Sequence, residues 1–187
     1  MEEVSVLFAR ADSVYKLIAG CDVWDLERDA LRWPGGCACI AHPPCRAWGK
    51  LKYFARPRCG ERWLAVWSVL QVRRWGGVME HPYSSSIWQR MQCLPPGQRD
   101  QWGGICVSAP QQWWGHRCRK DTIFYICNLA GSLPEIPYVL GEAARTISGR
   151  SRGKGAPGVG HAEREQTPAL LAKWLVAVAQ QCSPRTG

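Results

Sequence analysis

The chain has 187 residues, enough for one domain with a buried core, and 46% of them are hydrophobic, which excludes a disordered polymer. No run of about 18 apolar residues occurs, so no transmembrane helix is expected, and the acidic start Met1-Glu2-Glu3-Val4 is unlike a secretion signal, so a cytoplasmic protein is expected. A formal net charge of +9 points to a polyanionic partner, nucleic acid first, because neutralising phosphates releases counterions.

Val4-Ser5-Val6-Leu7-Phe8 is a β-branched apolar run and reads as a buried strand. Asp12 or Ser13 is placed to cap a short helix over residues 14–18, and Gly20 to end it. Residues 21–25 and 37–41 read as the second and third strands, the third stopped by Pro43-Pro44. Residues 61–75 read as a helix, in which Trp63, Val66, Trp67 and Leu70 predict one apolar stripe. Gly76-Gly77 breaks it, residues 78–80 restart as a strand, and residues 122–127 form another. Thr167 is expected to cap the last helix with Pro168 at its first position; Leu171, Trp174, Leu175 and Val178 share one face.

This alternation predicts an α/β domain spanning 1–187, a mostly parallel sheet with helices on both faces. Ligands of such sheets bind beyond the carboxyl ends of the strands, where Asp25, Cys45 and Glu80 lie. Residues 143–163 read as a flexible basic loop within the domain. Arg145, Arg150, Arg152 and Lys154 alternate there with Gly and Ser. Contact with a nucleic-acid backbone and a plain solvated loop are both open readings of it.

Ten cysteines in a reducing compartment call for metal binding, catalysis or burial. Most sit in apolar stretches, as Cys106 and Cys127 do, and are expected to be buried as small hydrophobes. Cys37, Cys39, His42 and Cys45 make a compact Cys/His set, so a small zinc module is held in reserve. Strand alternation is expected to bury Cys37 and Cys39 on one face, away from the strand end, and no metal is assigned. Some of the eleven tryptophans are expected in the core, and indole faces can also stack on bases; Trp113-Trp114 reads as core or lid.

Four segments, in chain order, carry a resemblance. Val6-Leu7-Phe8-Ala9 is similar to the opening of a cofactor strand. Ala41-His42-Pro43-Pro44-Cys45-Arg46 is similar to a Pro-Cys loop after an apolar strand. Val78-Met79-Glu80-His81-Pro82 is similar to a strand-Glu segment, and Arg117-Cys118-Arg119 before residues 122–127 to an Arg-x-Arg segment before a strand. Together they resemble the cytosine carbon-5 DNA methyltransferases, in a truncated form of the phage or prophage type. The resemblance implies a Rossmann-like class I methyltransferase fold without a full target-recognition domain. It implies Cys45 as the nucleophile, with Glu80, Arg117 and Arg119 as its partners. It further implies S-adenosylmethionine as cofactor, held near Phe8, Ala9, Arg10 and Pro43. Asp25 or Glu27 would take the ribose hydroxyls, by the usual logic of an acid at this place in Rossmann sheets.

The chemistry needs these residue types. A thiolate adding at carbon 6 turns cytosine into an enamine nucleophilic at carbon 5. Arg46 with Arg117 or Arg119 is expected to lower the thiol pKa, and Glu80 to hold the ring nitrogen and exocyclic amine. In a duplex the base is first flipped out. Arg46, Arg145, Arg150, Arg152 and Lys154 are the candidate nucleic-acid contacts. Two functions follow: an enzyme modifying cytosine in nucleic acid through Cys45, or a catalytically silent relative that binds nucleic acid or blocks a host defence complex. The loop Phe8-Ala9-Arg10-Ala11-Asp12 holds no glycine, which favours the second; Cys45, Glu80 and the arginine pair favour the first.

Overall fold

The computed structural model describes residues 3–141, 143–145 and 160–185. Six strands form one sheet: β1 (Val4–Leu7), β2 (Cys21–Trp24), β3 (Cys39–Ala41), β4 (Gly77–Pro82), β5 (Ile105–Pro110) and β6 (Asp121–Cys127), in the order β2-β1-β3-β4-β6-β5. Every residue of β1 and β3 is buried, which is why both read as unbroken apolar runs: their two faces are covered.

Helix α1 (Glu61–Trp75) covers one face and α4 (Ala169–Ala179) the other. Alternation along each strand splits the core accordingly. Val6, Ile40, Val78 and Phe124 pack with Leu171, Leu175 and Val178 of α4. Leu7, Ala41, Met79 and Tyr125 pack with Ala65, Val69 and Val72 of α1. Two short α-helices also occur among the described residues, α2 (Ile87–Arg90) and α3 (His161–Glu165).

The α/β class stands, but the sheet is mixed. β1 pairs in parallel with β2 and β3, and β3 with β4, whereas β6 runs antiparallel to both β4 and β5. The cause is the connection between β5 and β6, residues 111–120. A parallel return needs a crossover of a dozen or more residues, so this shorter link brings the chain back as a hairpin.

Helix α1 turns a different face to the sheet from the one its tryptophans suggest. Trp63 is 63% exposed and Leu70 49% exposed, while Ala65, Val69 and Val72 are fully buried. Small and branched side chains let the helix lie close to β3 and β4, and the bulky indoles are displaced to its flank. There Trp67 meets Phe8 and Trp33 edge-on, at ring-centroid distances of 5.7 and 6.5 Å. Before α4 the N-cap is Pro168, and no side chain caps the helix, so Thr167 does not fill the role its type suggests. Ser13 does cap its turn, its side chain accepting from the Tyr15 amide.

Gly77 opens β4 with φ +114°, and a Cβ there would overlap the Cys39 carbonyl on the neighbouring strand. Only glycine lets the chain leave α1 and enter the sheet in so tight a space. Among the described residues no helix is long and apolar enough to cross a membrane.

Candidate active site at the strand ends

The register places Leu7 beside Trp24 and Ala41, and Ala41 beside Met79, so the carboxyl ends of β1 to β4 form one rim. Chain order reverses between β1 and β3, which makes their junction the switch point where open α/β sheets bind ligands. A cleft of about 690 Å³ lies above it. Its walls include Phe8, Ala9 and Arg10 after β1, Pro43, Pro44, Cys45 and Arg46 after β3, and Glu80 on β4. Arg117 and Lys120 from the β5–β6 link and residues 163–169 close the other sides.

Two-residue periodicity explains which polar groups meet. Ile40 and Val78 face α4; two positions on, His42 and Glu80 point the same way, as does Thr122, two residues before Phe124. A chain of contacts results. The Tyr15 hydroxyl lies 3.0 Å from His42 Nε2, and His42 Nδ1 lies 3.2 Å from Glu80 Oε2. Gln111 Nε2 donates to Glu80 Oε1 at 2.8 Å and to Thr122 Oγ1 at 3.2 Å.

Glu80 is a buried carboxylate with its charge retained. Burial alone would raise its pKa, but the Lys120 ammonium and the His42 contact together hold it down to about 2. An ionised Glu80 can only accept, so His42 donates to it through Nδ1, and Nε2 meets the Tyr15 hydroxyl. Burial and the nearby Glu80 charge keep the Tyr15 hydroxyl protonated, well above the usual range.

Cys45 sits at the lip of this cleft with its side chain exposed. Its carbonyl accepts from the Trp48 and Gly49 amides, which fixes the turn after Pro43-Pro44. The surrounding walls and the Glu80 carboxylate raise the thiol pKa, and Lys120 opposes them. The arginines expected to activate the thiol are committed elsewhere. Arg46 pairs with the buried Glu61 at 2.7 Å, Arg117 with Glu163 at 3.3 Å, and the exposed Arg119 with Asp121 at 2.8 Å. Arg119 does not line the cleft, and the charge that lowers the thiol pKa is Lys120.

The residues expected to hold a cofactor are differently placed. Phe8 adopts φ 59°, a left-handed turn without glycine. Arg10 bridges Asp12 at 2.8 Å and Glu165 at 3.2 Å. Asp25 lies outside the cleft lining and is spent on the fold. It binds Lys16 Nζ at 2.7 Å and accepts from the Glu27 and Arg28 amides. Glu27 is exposed and likewise outside the lining.

Of the basic loop, Arg150, Arg152 and Lys154 lie outside the described residues. Its two ends have regular partners: the Arg145 amide donates to the Arg117 carbonyl, and residues 161–165 form α3. His116 Nδ1 accepts from the Cys118 amide, so the Nε2 proton is free to meet the Glu163 carbonyl at 3.2 Å. With the Arg10–Glu165 and Arg117–Glu163 pairs, α3 is therefore fastened across the cleft from both sides.

The four members of the Cys/His set go separate ways. Cys37 Sγ meets Ser5 Oγ, Cys39 is buried under α1, His42 joins Glu80, and Cys45 faces the cleft. Among the described residues no group of three or more His, Cys, Asp or Glu side chains is arranged to hold a metal ion. Trp114 is core, packed edge-on against Phe124 and tilted against Trp174, and Trp113 is half-buried against Tyr138.

Of the residues expected from sequence, Cys45, Glu80 and Arg117 line one cleft with Phe8, Ala9, Arg10, Pro43 and Arg46; Tyr15 and Lys120 line it without having been expected there, and Gln111 reaches it only through its hydrogen bond to Glu80. For His42 the signal was present, a polar residue two places beyond the buried Ile40. Gln111 and Tyr15 come from distant turns and carry no local sign. No family model, curated protein or solved structure matches this chain.

Proposed function

We propose that the chain is a cytosine carbon-5 methyltransferase-like protein of Rossmann type that takes a base of nucleic acid, DNA first, into this cleft and adds Cys45 to carbon 6. The observation that carries the reading is the meeting of an exposed thiol and a charged carboxylate in one cleft at the sheet's switch point. Glu80 accepts a hydrogen bond from the exocyclic amine of cytosine and so aligns the ring. The Cys45 thiolate forms a bond to carbon 6, the carbon 5–carbon 6 π pair moves to make a carbon 4–carbon 5 double bond, and the carbon 4–nitrogen 3 π pair moves onto nitrogen 3, which takes a proton from water. Carbon 5 then picks up a proton from water. Carbon 5 gives its original hydrogen to water, and as nitrogen 3 returns its proton to water the carbon 5–carbon 6 double bond re-forms and expels the thiolate, which leaves the base with its carbon-5 hydrogen exchanged.

S-adenosylmethionine would supply a methyl group in place of that proton. The residues on the β1 side fit it poorly: the expected ribose acid is tied to Lys16 and to its own turn, and Arg10 is clasped to Glu165. That same observation favours a second reading, a catalytically silent phage-type protein that occupies nucleic acid or blocks a host defence complex.

Exchange of the carbon-5 hydrogen in deuterium oxide tests the first reading without any donor. Mass spectrometry of a cytosine-containing oligonucleotide should show deuterium uptake with the wild type and none with Cys45→Ser. An oligonucleotide that binds and takes up no deuterium defeats the enzyme reading and leaves the silent one.

A further inference from the structure

Residues 49–58 leave the fold immediately after the Cys45 turn and carry their side chains outward. Leu51, Tyr53 and Phe54 are 69%, 85% and 86% exposed. Scattered single apolar residues are normal on a surface, but three large ones within four positions need a reason. The backbone here is ordered by turns: the Lys52 amide donates to the Gly49 carbonyl, and the Phe54 and Ala55 amides donate to that of Leu51. Lys52 Nζ anchors the segment by donating to Ser86 Oγ at 3.0 Å, and it lies 5.4 Å from the Tyr53 ring centroid.

Along the chain, the exposed charges beside these rings are of one sign. Lys50, Arg56 and Arg58 are exposed beside them. The one acid between positions 46 and 62 is Glu61, buried and paired with Arg46. A plain apolar protein surface would cover the rings and leave the cations without partners. A nucleic-acid strand satisfies both, with phosphates for the cations and base faces for the rings. A duplex hides its base faces within the stack, where an outward-pointing ring cannot lie flat on them.

We infer that residues 49–58 form a docking arm for single-stranded nucleic acid, with Tyr53 and Phe54 as stacking platforms leading an unpaired base to the cleft. The inference rests on the base-capture reading for its direction, since it names that site's substrate as an unpaired strand. An unpaired base also needs no extrusion from a duplex before it reaches Cys45.

The test is fluorescence anisotropy of the full chain with a labelled oligo-dC of about 12 nucleotides and with its duplex, the length being that of an ordinary single-strand site. The wild type should bind the single strand at least about tenfold more tightly than the duplex. Tyr53→Ala/Phe54→Ala should weaken single-strand binding about tenfold or more, in keeping with the loss of base–aromatic stacking. Lys50→Ala/Arg56→Ala/Arg58→Ala should flatten the salt dependence, by up to about 0.7 in the log–log slope for each phosphate no longer neutralised. All these side chains are exposed, so unchanged thermal melting is the control that the variants fold.

Equal or tighter binding of the duplex overturns the inference, as does wild-type affinity in the Tyr53→Ala/Phe54→Ala variant. Cosedimentation with anionic lipid vesicles that depends on Phe54, without oligonucleotide binding, overturns it in favour of a membrane surface. The carbon-5 exchange assay reads the other claim separately. Single-strand binding through the arm with no exchange upholds the arm and defeats base capture; exchange with unaltered affinity in the arm variant does the reverse.

Discussion

His42 Nδ1 stands 3.2 Å from Glu80 Oε2 while its other ring nitrogen stands 3.0 Å from the Tyr15 hydroxyl. One imidazole thus joins the strand β3 end to β4 and to the turn after β1, and it satisfies two buried polar groups at once. His42→Ala leaves the Tyr15 hydroxyl and one Glu80 oxygen without this partner. It should cost about 1–3 kcal/mol of stability in urea denaturation, the cost of an unsatisfied buried polar group. A loss below about 0.5 kcal/mol would show that water replaces the ring at no cost.

Cys45 should act best in alkali. Its pKa is raised by the cleft walls and by Glu80, so the thiolate fraction climbs with pH beyond the ordinary thiol range. Carbon-5 exchange should rise about tenfold per pH unit between pH 7 and 8.5, as one deprotonation requires. Lys120→Ala removes the opposing cation and should move the whole profile to higher pH. A profile that is flat over this range, or unmoved in the variant, would separate the thiol from the observed chemistry.

Two neighbours on β4 predict a stepped loss of stability in acid. Burial holds the His81 imidazole down to about 4 against the attraction of Glu80, while the unfolded chain protonates it near the usual 6.5. The unfolded state therefore binds more protons over that interval, and stability falls as pH drops from 6.5 to 4. Glu80, at about 2 in the fold and 4.5 outside it, extends the loss from pH 4.5 to 2. His81→Phe keeps an edge-on ring contact with Trp88 available and should flatten the first step alone. Chemical denaturation at intervals from pH 2 to 8 reads both.

Arg73 is a buried cation in α1. It donates to the Tyr125 hydroxyl at 2.8 Å and the Met91 carbonyl at 2.6 Å, lies 3.5 Å from Asp100, and stacks on the Trp102 ring. Arg73→Ala leaves the buried Asp100 carboxylate with the Tyr125 hydroxyl and the Trp102 and Gly104 amides as donors but without a counter-charge, and should destabilise by about 3–5 kcal/mol. Arg73→Ala/Asp100→Asn should recover part of that loss, because no buried charge remains alone. A double variant as unstable as the sum of the two single ones would deny the coupling.

Gly77→Ala should be among the most damaging single changes in the chain. The added Cβ meets the Cys39 backbone in the middle of the sheet, and φ +114° is strained for any L side chain. A cost above about 4 kcal/mol, or failure to accumulate folded protein, is expected. Wild-type thermal melting in this variant would mean that β3 and β4 can separate freely.

The strands that read most clearly from sequence are those with one environment throughout: β1 and β6 are buried along almost their whole length. β5 escaped notice because it alternates between half-buried and buried positions and ends in Pro110, a mixed pattern at the sheet's edge. The stripe on α1 was misread because hydrophobicity ranks tryptophan above alanine, whereas close approach to a sheet ranks them the other way. At the site, Cys45 and Glu80 were legible because each follows a strand. Lys120 was not, since its influence arises only when the β5–β6 hairpin folds back, and neither were the ion pairs that occupy Arg46 and Arg119.

The covering of the sheet by α4 has a consequence for how the protein is made. A nascent chain that has passed β6 already holds all six strands, yet Val6, Ile40, Val78 and Phe124 still lack the helix that packs over them. Residues 163–169, which wall the cleft, emerge late as well. While the ribosome still holds this stretch, an apolar sheet face stands bare, and such surface invites association with other chains. Messages cut short before residue 169 should therefore yield insoluble product, and the site should come into being only once α4 has been made and has docked.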